Sequence, residues 1–254
     1  MTDTRPRDPI LTKALATLST AFPVLLHLCN MDLTSTRLGL VMMLLCFWSP
    51  AVVGQSPTDM RGDTQSWNKV QFTVPLGDRI DLTFRGDLRL GRNLGDFVDE
   101  RVGASLRFKL STYIELSSGY EYVVRQPERG RTTYENRISF AGTVKVPVGR
   151  FSIENRNQFE RRVRNSASDT TRYRNRLLLS RQVKFGDTQI KLFVSDEVFY
   201  DFAEQAWTKN RFSVGGEKKF SDQFALEIYY TRQNDGFSRP GDLNVIGTTF
   251  KLRK

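Results

Sequence analysis

Between Arg79 and Leu90 the chain reads Arg-Ile-Asp-Leu-Thr-Phe-Arg-Gly-Asp-Leu-Arg-Leu, apolar and polar positions alternating almost without a break. Side chains on a β-strand point alternately to opposite faces, so Ile80, Leu82, Phe84, Leu88 and Leu90 line one side of this segment. Arg79, Asp81, Thr83, Arg85, Asp87 and Arg89 line the other. A helix would scatter both sets around its axis. The run is about twice the ~5–6 residues of a typical globular strand. It has the length of a strand that crosses a bilayer at a tilt, which needs ~9–11 residues.

Strand-like segments of this kind fall at 67–76, 79–91, 96–110, 112–125, 131–146, 150–164, 171–185, 188–200, 207–219, 223–234 and 243–253. After the odd-numbered ones the connection is short: Gly77-Asp78, Ser111, Pro147 to Gly149, Gly186-Asp187 and Ser221-Asp222. After the even-numbered ones it is longer and polar: Gly91 to Gly95, Gln126 to Gly130, Asn165 to Thr170, Asp201 to Ala206 and Gln233 to Asp242. Short turns at one end and longer loops at the other predict an all-β fold, an antiparallel up-and-down transmembrane β-barrel with its short turns periplasmic. Single-chain bacterial barrels have even strand counts. The expected number is therefore twelve, with a weak extra strand between Gln55 and Gln65, or ten if the first segment stands outside the wall.

The outward set is recognisable in most strands, as in Val102, Ala104, Leu106, Phe108 and Leu110, or Ile138, Phe140, Val144 and Val146. Tyr113, Tyr122, Tyr134, Tyr173, Tyr200, Trp67 and Trp207 lie near strand ends, where interfacial aromatic girdles sit. The opposite face carries Glu135, Arg137, Glu154, Arg156, Glu160, Arg162, Arg174, Arg176, Glu197 and Arg211, with Arg164, Arg172, Lys191, Lys209 and Glu217. An unpaired buried ion costs several kcal/mol, so these groups must face water or one another. In a barrel lumen, neighbouring strands bring Glu and Arg side by side. They form either a structural ion-pair network or a basic, anion-preferring channel. Asn155, Asn157 and Arg161 interrupt the apolar face of the sixth segment, and nothing in the pattern accounts for them beyond a bulge or a strand projecting past the bilayer.

The amino terminus differs in character. Met31 begins a short polar stretch with Arg37, Leu38 to Trp48 is an apolar run of eleven residues, and Ser49 to Gly54 is rich in small residues. That order predicts a secretory signal peptide over 31–54, cleaved after Gly54. The apolar run is too short to span a bilayer as a helix. Residues 1–30 read as an extension from an upstream start codon, 55–65 as a polar leader and 66–254 as the barrel. Met43, Leu44 and Leu45 before Cys46 exclude a lipoprotein signal, which wants small residues there.

His27, Cys29 and Cys46, the only residues of their types, all fall in the part expected to be removed. The mature chain then has no disulfide, no thiolate metal site and no His-based triad or dyad. No cofactor and no metal site are expected. The formal net charge is +10; cleavage removes four basic and three acidic residues, leaving +9. Acidic residues are mixed among the basic ones along most strands, which argues against a nucleic-acid partner.

Several motifs together carry a family resemblance: Gly119-Tyr120-Glu121-Tyr122, Tyr134-Glu135-Asn136-Arg137, Arg156 to Arg162, Tyr173 to Leu177, Ser195 to Tyr200, Asn210-Arg211-Phe212 and Asn244 to Gly247. In order and spacing, from Trp67 to Leu252, the chain resembles the bacterial outer-membrane barrels grouped as domain of unknown function 2490. The resemblance implies a barrel with its Glu and Arg positions inside and no assigned activity. The close, Gly247 to Leu252, is similar to an outer-membrane assembly signal. It implies recognition by the barrel insertion machinery through Gly247, Phe250 and Leu252, although Arg253-Lys254 replaces the usual terminal aromatic.

The expected partners are thus outer-membrane lipid and the assembly machinery, in a Gram-negative-type envelope. The leading expectation is a non-enzymatic outer-membrane protein, structural or a narrow porin-like pore. A soluble periplasmic ligand-binding barrel and an outer-membrane enzyme remain alternatives. For the enzyme, a carboxylate pair such as Glu135 with Glu154 would have to do the acid–base work, but the many Arg neighbours make ion pairing the expectation.

Overall fold

The computed structural model describes residues 62–254, except 187, 239 and 240. The signal peptide over 31–54, the extension 1–30 and positions 55–61 lie outside the described residues.

Among the described residues eleven strands form one closed barrel: β1 (Asp63–Pro75), β2 (Ile80–Gly91), β3 (Asp96–Lys109), β4 (Ile114–Glu128), β5 (Arg131–Val148), β6 (Phe151–Arg164), β7 (Thr170–Phe185), β8 (Thr188–Asp201), β9 (Ala206–Lys219), β10 (Phe224–Asp235) and β11 (Leu243–Arg253). Consecutive strands pair antiparallel, and β1 closes on β11 in parallel, from Asp63 opposite Leu243 to Thr73 opposite Arg253. An odd number of up-and-down strands leaves the first and last running the same way, so the seam must be parallel. The expectation of twelve all-antiparallel strands is thereby corrected. The first segment belongs to the wall, and Asp63 to Gln65 are the start of β1 instead of an extra strand. Alternation could not reveal that start, because Asp63, Thr64, Gln65 and Ser66 are polar on both faces.

The connections divide into two ends. At the turn end lie 76–79, 110–113, 149–150, 186 and 220–223; at the loop end lie 92–95, 129–130, 165–169, 202–205, 236–238 and 241–242. Gly149, at φ 58°, supplies the positive φ that a two-residue hairpin connection needs. The length difference between the ends is smaller than the sequence suggested. β4 and β5 run on through most of the expected Gln126–Gly130 loop, across a register shift between Arg125 and Glu128. Further shifts fall between Arg89 and Leu90 and between Phe199 and Tyr200, so all three irregularities sit near the loop end. Bulges commonly gather at barrel rims, where they bend and twist the wall.

Polarity is inverted relative to an ordinary globule. Among the described residues six hydrophobic ones are buried, against 24 polar or charged ones. The outer face carries Val102, Phe140 and Ile246 at 61%, 62% and 60% exposure, and similar residues follow on every strand. Toward the loop end, Phe159, Tyr173, Tyr200, Phe202 and Trp207 form a chain of ring contacts with centroids 5.2–6.3 Å apart, and Tyr122 stacks on Tyr134. Phe220 stacks on Phe224 at the turn end.

The outward polar residues of β6 have a structural explanation. Asn157 Nδ2 donates to Asn155 Oδ1 at 2.7 Å, Asn175 Nδ2 donates to Asn157 Oδ1 at 2.8 Å, and the Tyr173 hydroxyl donates to Asn157 Oδ1 at 2.6 Å. These amides satisfy one another on the barrel's outer surface. Arg161 reaches Asp169 in the β6–β7 loop at 3.2 Å.

Candidate functional site

The distinctive site is the lumen. Its side chains come from the odd-numbered positions of β1 to β5 and of β8 to β11, and from the even-numbered positions of β6 and β7. The change of parity follows from the two-residue β5–β6 turn, which sets Glu135 opposite Arg164 and Arg137 opposite Arg162.

Toward the loop end, Arg137 donates to Glu121 at 3.0 Å and to Glu135 at 3.1 Å, and Arg162 donates to Glu135 at 3.2 Å through Nη2. Arg172 and Arg174 donate to Glu160 at 2.6 and 3.2 Å, and Arg174 also reaches Glu197 at 2.7 Å. Asp99 accepts from Arg101 and, at 2.8 Å, from Arg125, while Arg89 holds Asp87 at 3.1 Å. Toward the turn end Lys109 and Arg253 pair with Asp81, Lys145 with Glu115 at 2.7 Å, and Lys251 with Glu217 and Glu227. Arg176 bonds Glu154 at 2.9 Å between these levels.

The ten sequence-predicted lumen residues all face inward, but they do not form one unit. Glu135, Arg137, Glu160, Arg162, Arg174 and Glu197 are one connected network. Glu154 with Arg176 is a separate pair. Arg156 donates to Gln158 alone, and Arg211 touches Glu197 only at 4.0 Å. Glu135 and Glu154 are not a catalytic pair. Glu135 lies opposite Arg164, ten residues along β6 from Glu154, or roughly 33 Å at ~3.3 Å per residue.

Inward aromatics escaped the sequence reading, Trp67 and Phe199 among them. Trp67, expected in an outward girdle, is 4% exposed and faces the lumen. The guanidinium groups of Arg89 and Arg211 lie over it, 3.8 and 4.8 Å from its ring centroid, an arrangement that favours cation–π attraction. Phe199 is buried under Arg172, Arg174 and Arg211 at 4.8–5.1 Å. Their parity carried the signal, since Trp67 alternates with Gln65 and Lys69, and Phe199 with Glu197.

Gly247, Phe250 and Leu252 do not share a face. Phe250 and Leu252 are exposed on the outside, whereas Gly247 points inward under the Tyr229 ring, which any Cβ at 247 would strike. A close approach within the barrel thus explains this glycine.

A cavity of about 630 Å³ occupies the loop-end half of the lumen. It is lined by residues of the loops, such as Arg92, Glu204 and Phe237, and reaches down to Gln71, Ser117, Leu178 and Phe193. Gly215 leaves room for the Phe193 ring. Among the described residues no cluster of His, Cys, Asp and Glu is arranged to hold a metal ion.

Closed wall, charged lumen and apolar exterior define a single-chain β-barrel of the inverted-polarity class. The chain belongs to the family described as Protein of unknown function (DUF2490), whose model matches residues 64–244. Among solved structures it is distantly similar to LpxR from Salmonella typhimurium, at 12% identity and TM-score 0.46 over 69% of this chain and 83% of that one. It is also distantly similar to an anion-selective porin from Comamonas acidovorans, at 13% identity and TM-score 0.35; the match covers 70% of this chain and 55% of the porin. Comparison with curated protein sequences found no match.

Proposed function

We propose that this protein is an outer-membrane barrel whose lumen is an ion-paired, non-conducting interior, so that its role is structural and not catalytic. The observation that carries the reading is the inversion of polarity, with charged residues buried and large apolar residues exposed around the whole wall. A continuous apolar belt this extensive is unstable in water. Hydrocarbon accepts it, provided that every backbone group is paired, as closure ensures. The turn-end ion pairs of Asp81, Glu115 and Lys251 occupy the inner face toward the other end of the lumen. An acid–base role is disfavoured because the central carboxylates Glu135, Glu160 and Glu197 are occupied by arginines.

Fractionation and electrophysiology test both halves. The protein is expected in the outer-membrane fraction, released only by detergent, with heat-modifiable gel migration, and to leave a planar bilayer electrically silent. Recovery in the soluble periplasm without detergent contradicts the location. Stepwise conductance contradicts the closed lumen and favours a narrow pore.

A further inference from the structure

The lumen holds more positive charge than it neutralises. Fifteen Arg and Lys residues line the cavity against ten Asp and Glu. Glu135 behind Arg137 and Arg162, Glu154 on Arg176 and Asp96 on Arg92 reduce that excess to two. The surplus is concentrated on particular side chains. Among the described residues, Lys69 and Arg156 have no carboxylate within 4.0 Å: Lys69 donates to the Tyr229 hydroxyl at 3.4 Å, and Arg156 to Gln158. Arg85 has only Glu121 at 3.9 Å, which also serves Arg137 and Arg101 at 3.0 and 3.6 Å. The Nε of Arg85 is shut off from solvent and has no hydrogen-bond partner. Arg211 has Glu197 only at 4.0 Å, a carboxylate bound more closely by Arg174.

These four cations come from β1, β2, β6 and β9 and line one cavity. Ser105, Ser139, Ser195 and Ser213 line it with only small side chains. Like charges gathered in a confined lumen repel unless an anion joins them.

We propose that this cavity is a binding site for a small tetrahedral oxyanion of the phosphate class, held by Lys69, Arg85, Arg156 and Arg211. A phosphate dianion matches the surplus in sign, and its oxygens accept guanidinium donors approaching from several directions. The ligand reaches the site from the loop end as free phosphate or as a small phosphomonoester. Because the wall is closed, a bilayer lipid cannot slide in sideways. The site stands apart from the membrane reading, since it requires only the folded barrel.

The test is calorimetric titration of the purified barrel in detergent with inorganic phosphate, and separately with glycerol phosphate, at ionic strength held constant with sodium chloride. Saturable one-to-one binding is expected. Arg156→Gln and Arg85→Gln should each weaken it at least fivefold while leaving heat-modifiable migration unchanged. Competition between the two ligands places both at one site; binding of glycerol phosphate alone assigns the site to monoesters. Absence of saturable heat from either ligand overturns the proposal, as does an equal response to added chloride. Unchanged affinity in both variants also overturns it. Should one variant lose the folded migration, the other decides.

Discussion

At the scale of single residues, the lumen depends on carboxylates that each serve several guanidinium groups. Glu160 bonds Arg172 and Arg174 and lies 4.0 Å from Arg137 and Arg162, with 3% of its surface exposed. Breaking a buried ion pair by neutralising one partner costs about 3–5 kcal/mol, because the other charges stay in place. Glu160→Gln should therefore lower the urea midpoint of refolded barrel by an amount corresponding to that range. Glu100→Gln, on the exposed outer face, should shift it by no more than ~0.5 kcal/mol. Equal midpoints for Glu160→Gln and wild type would show that the network contributes nothing. The inward direction of these charges was legible from parity alone. Their partners were not, because a register between strands depends on turn lengths that alternation does not fix. Trp67 shows the same limit from the other side. Position near a strand end suggested a girdle, while its parity with Lys69 and Gln71 already placed it inside.

Among the elements, the parallel seam departs furthest from expectation. The eleven segments were all visible as alternating runs, but counting them left an odd number that appeared to need a further strand. The start of β1 shows why none is needed. Asp63 faces inward and its carboxylate accepts from the backbone N–H groups of Arg92 and Asn93, at 3.0 and 2.7 Å. Those two residues and Leu94 have φ of 51°, 57° and 69°, a left-handed run that side chains resist. The Asp63 carboxylate holds that loop against the strain. No alternation of hydrophobicity encodes such a contact. The seam itself is open to a direct check, because Ser66 and Ile246 face each other across it on the outer surface. In a chain with Cys29→Ser and Cys46→Ser, the pair Ser66→Cys and Ile246→Cys should form a disulfide on mild oxidation, seen as altered migration of the unfolded, unreduced protein. Failure to cross-link in folded barrel, with a β1–β2 control pair such as Asn68→Cys and Leu88→Cys bridging normally, would mean that another strand separates β1 from β11.

For the whole molecule, everything rests on two faces with opposite solvents. Ser139 and Phe140 are consecutive on β5; the first lines the lumen cavity and the second is 62% exposed on the outer face. The most direct measurement places a single cysteine at each position in turn, in the chain lacking Cys29 and Cys46, and labels the barrel reconstituted in lipid vesicles. Ser139→Cys should react with a small water-soluble thiol reagent and resist a lipid-confined one, and Phe140→Cys should do the reverse. Water-soluble labelling at Phe140→Cys with protection at Ser139→Cys would mean that the apolar belt faces water, and the inverted barrel in a membrane would be contradicted.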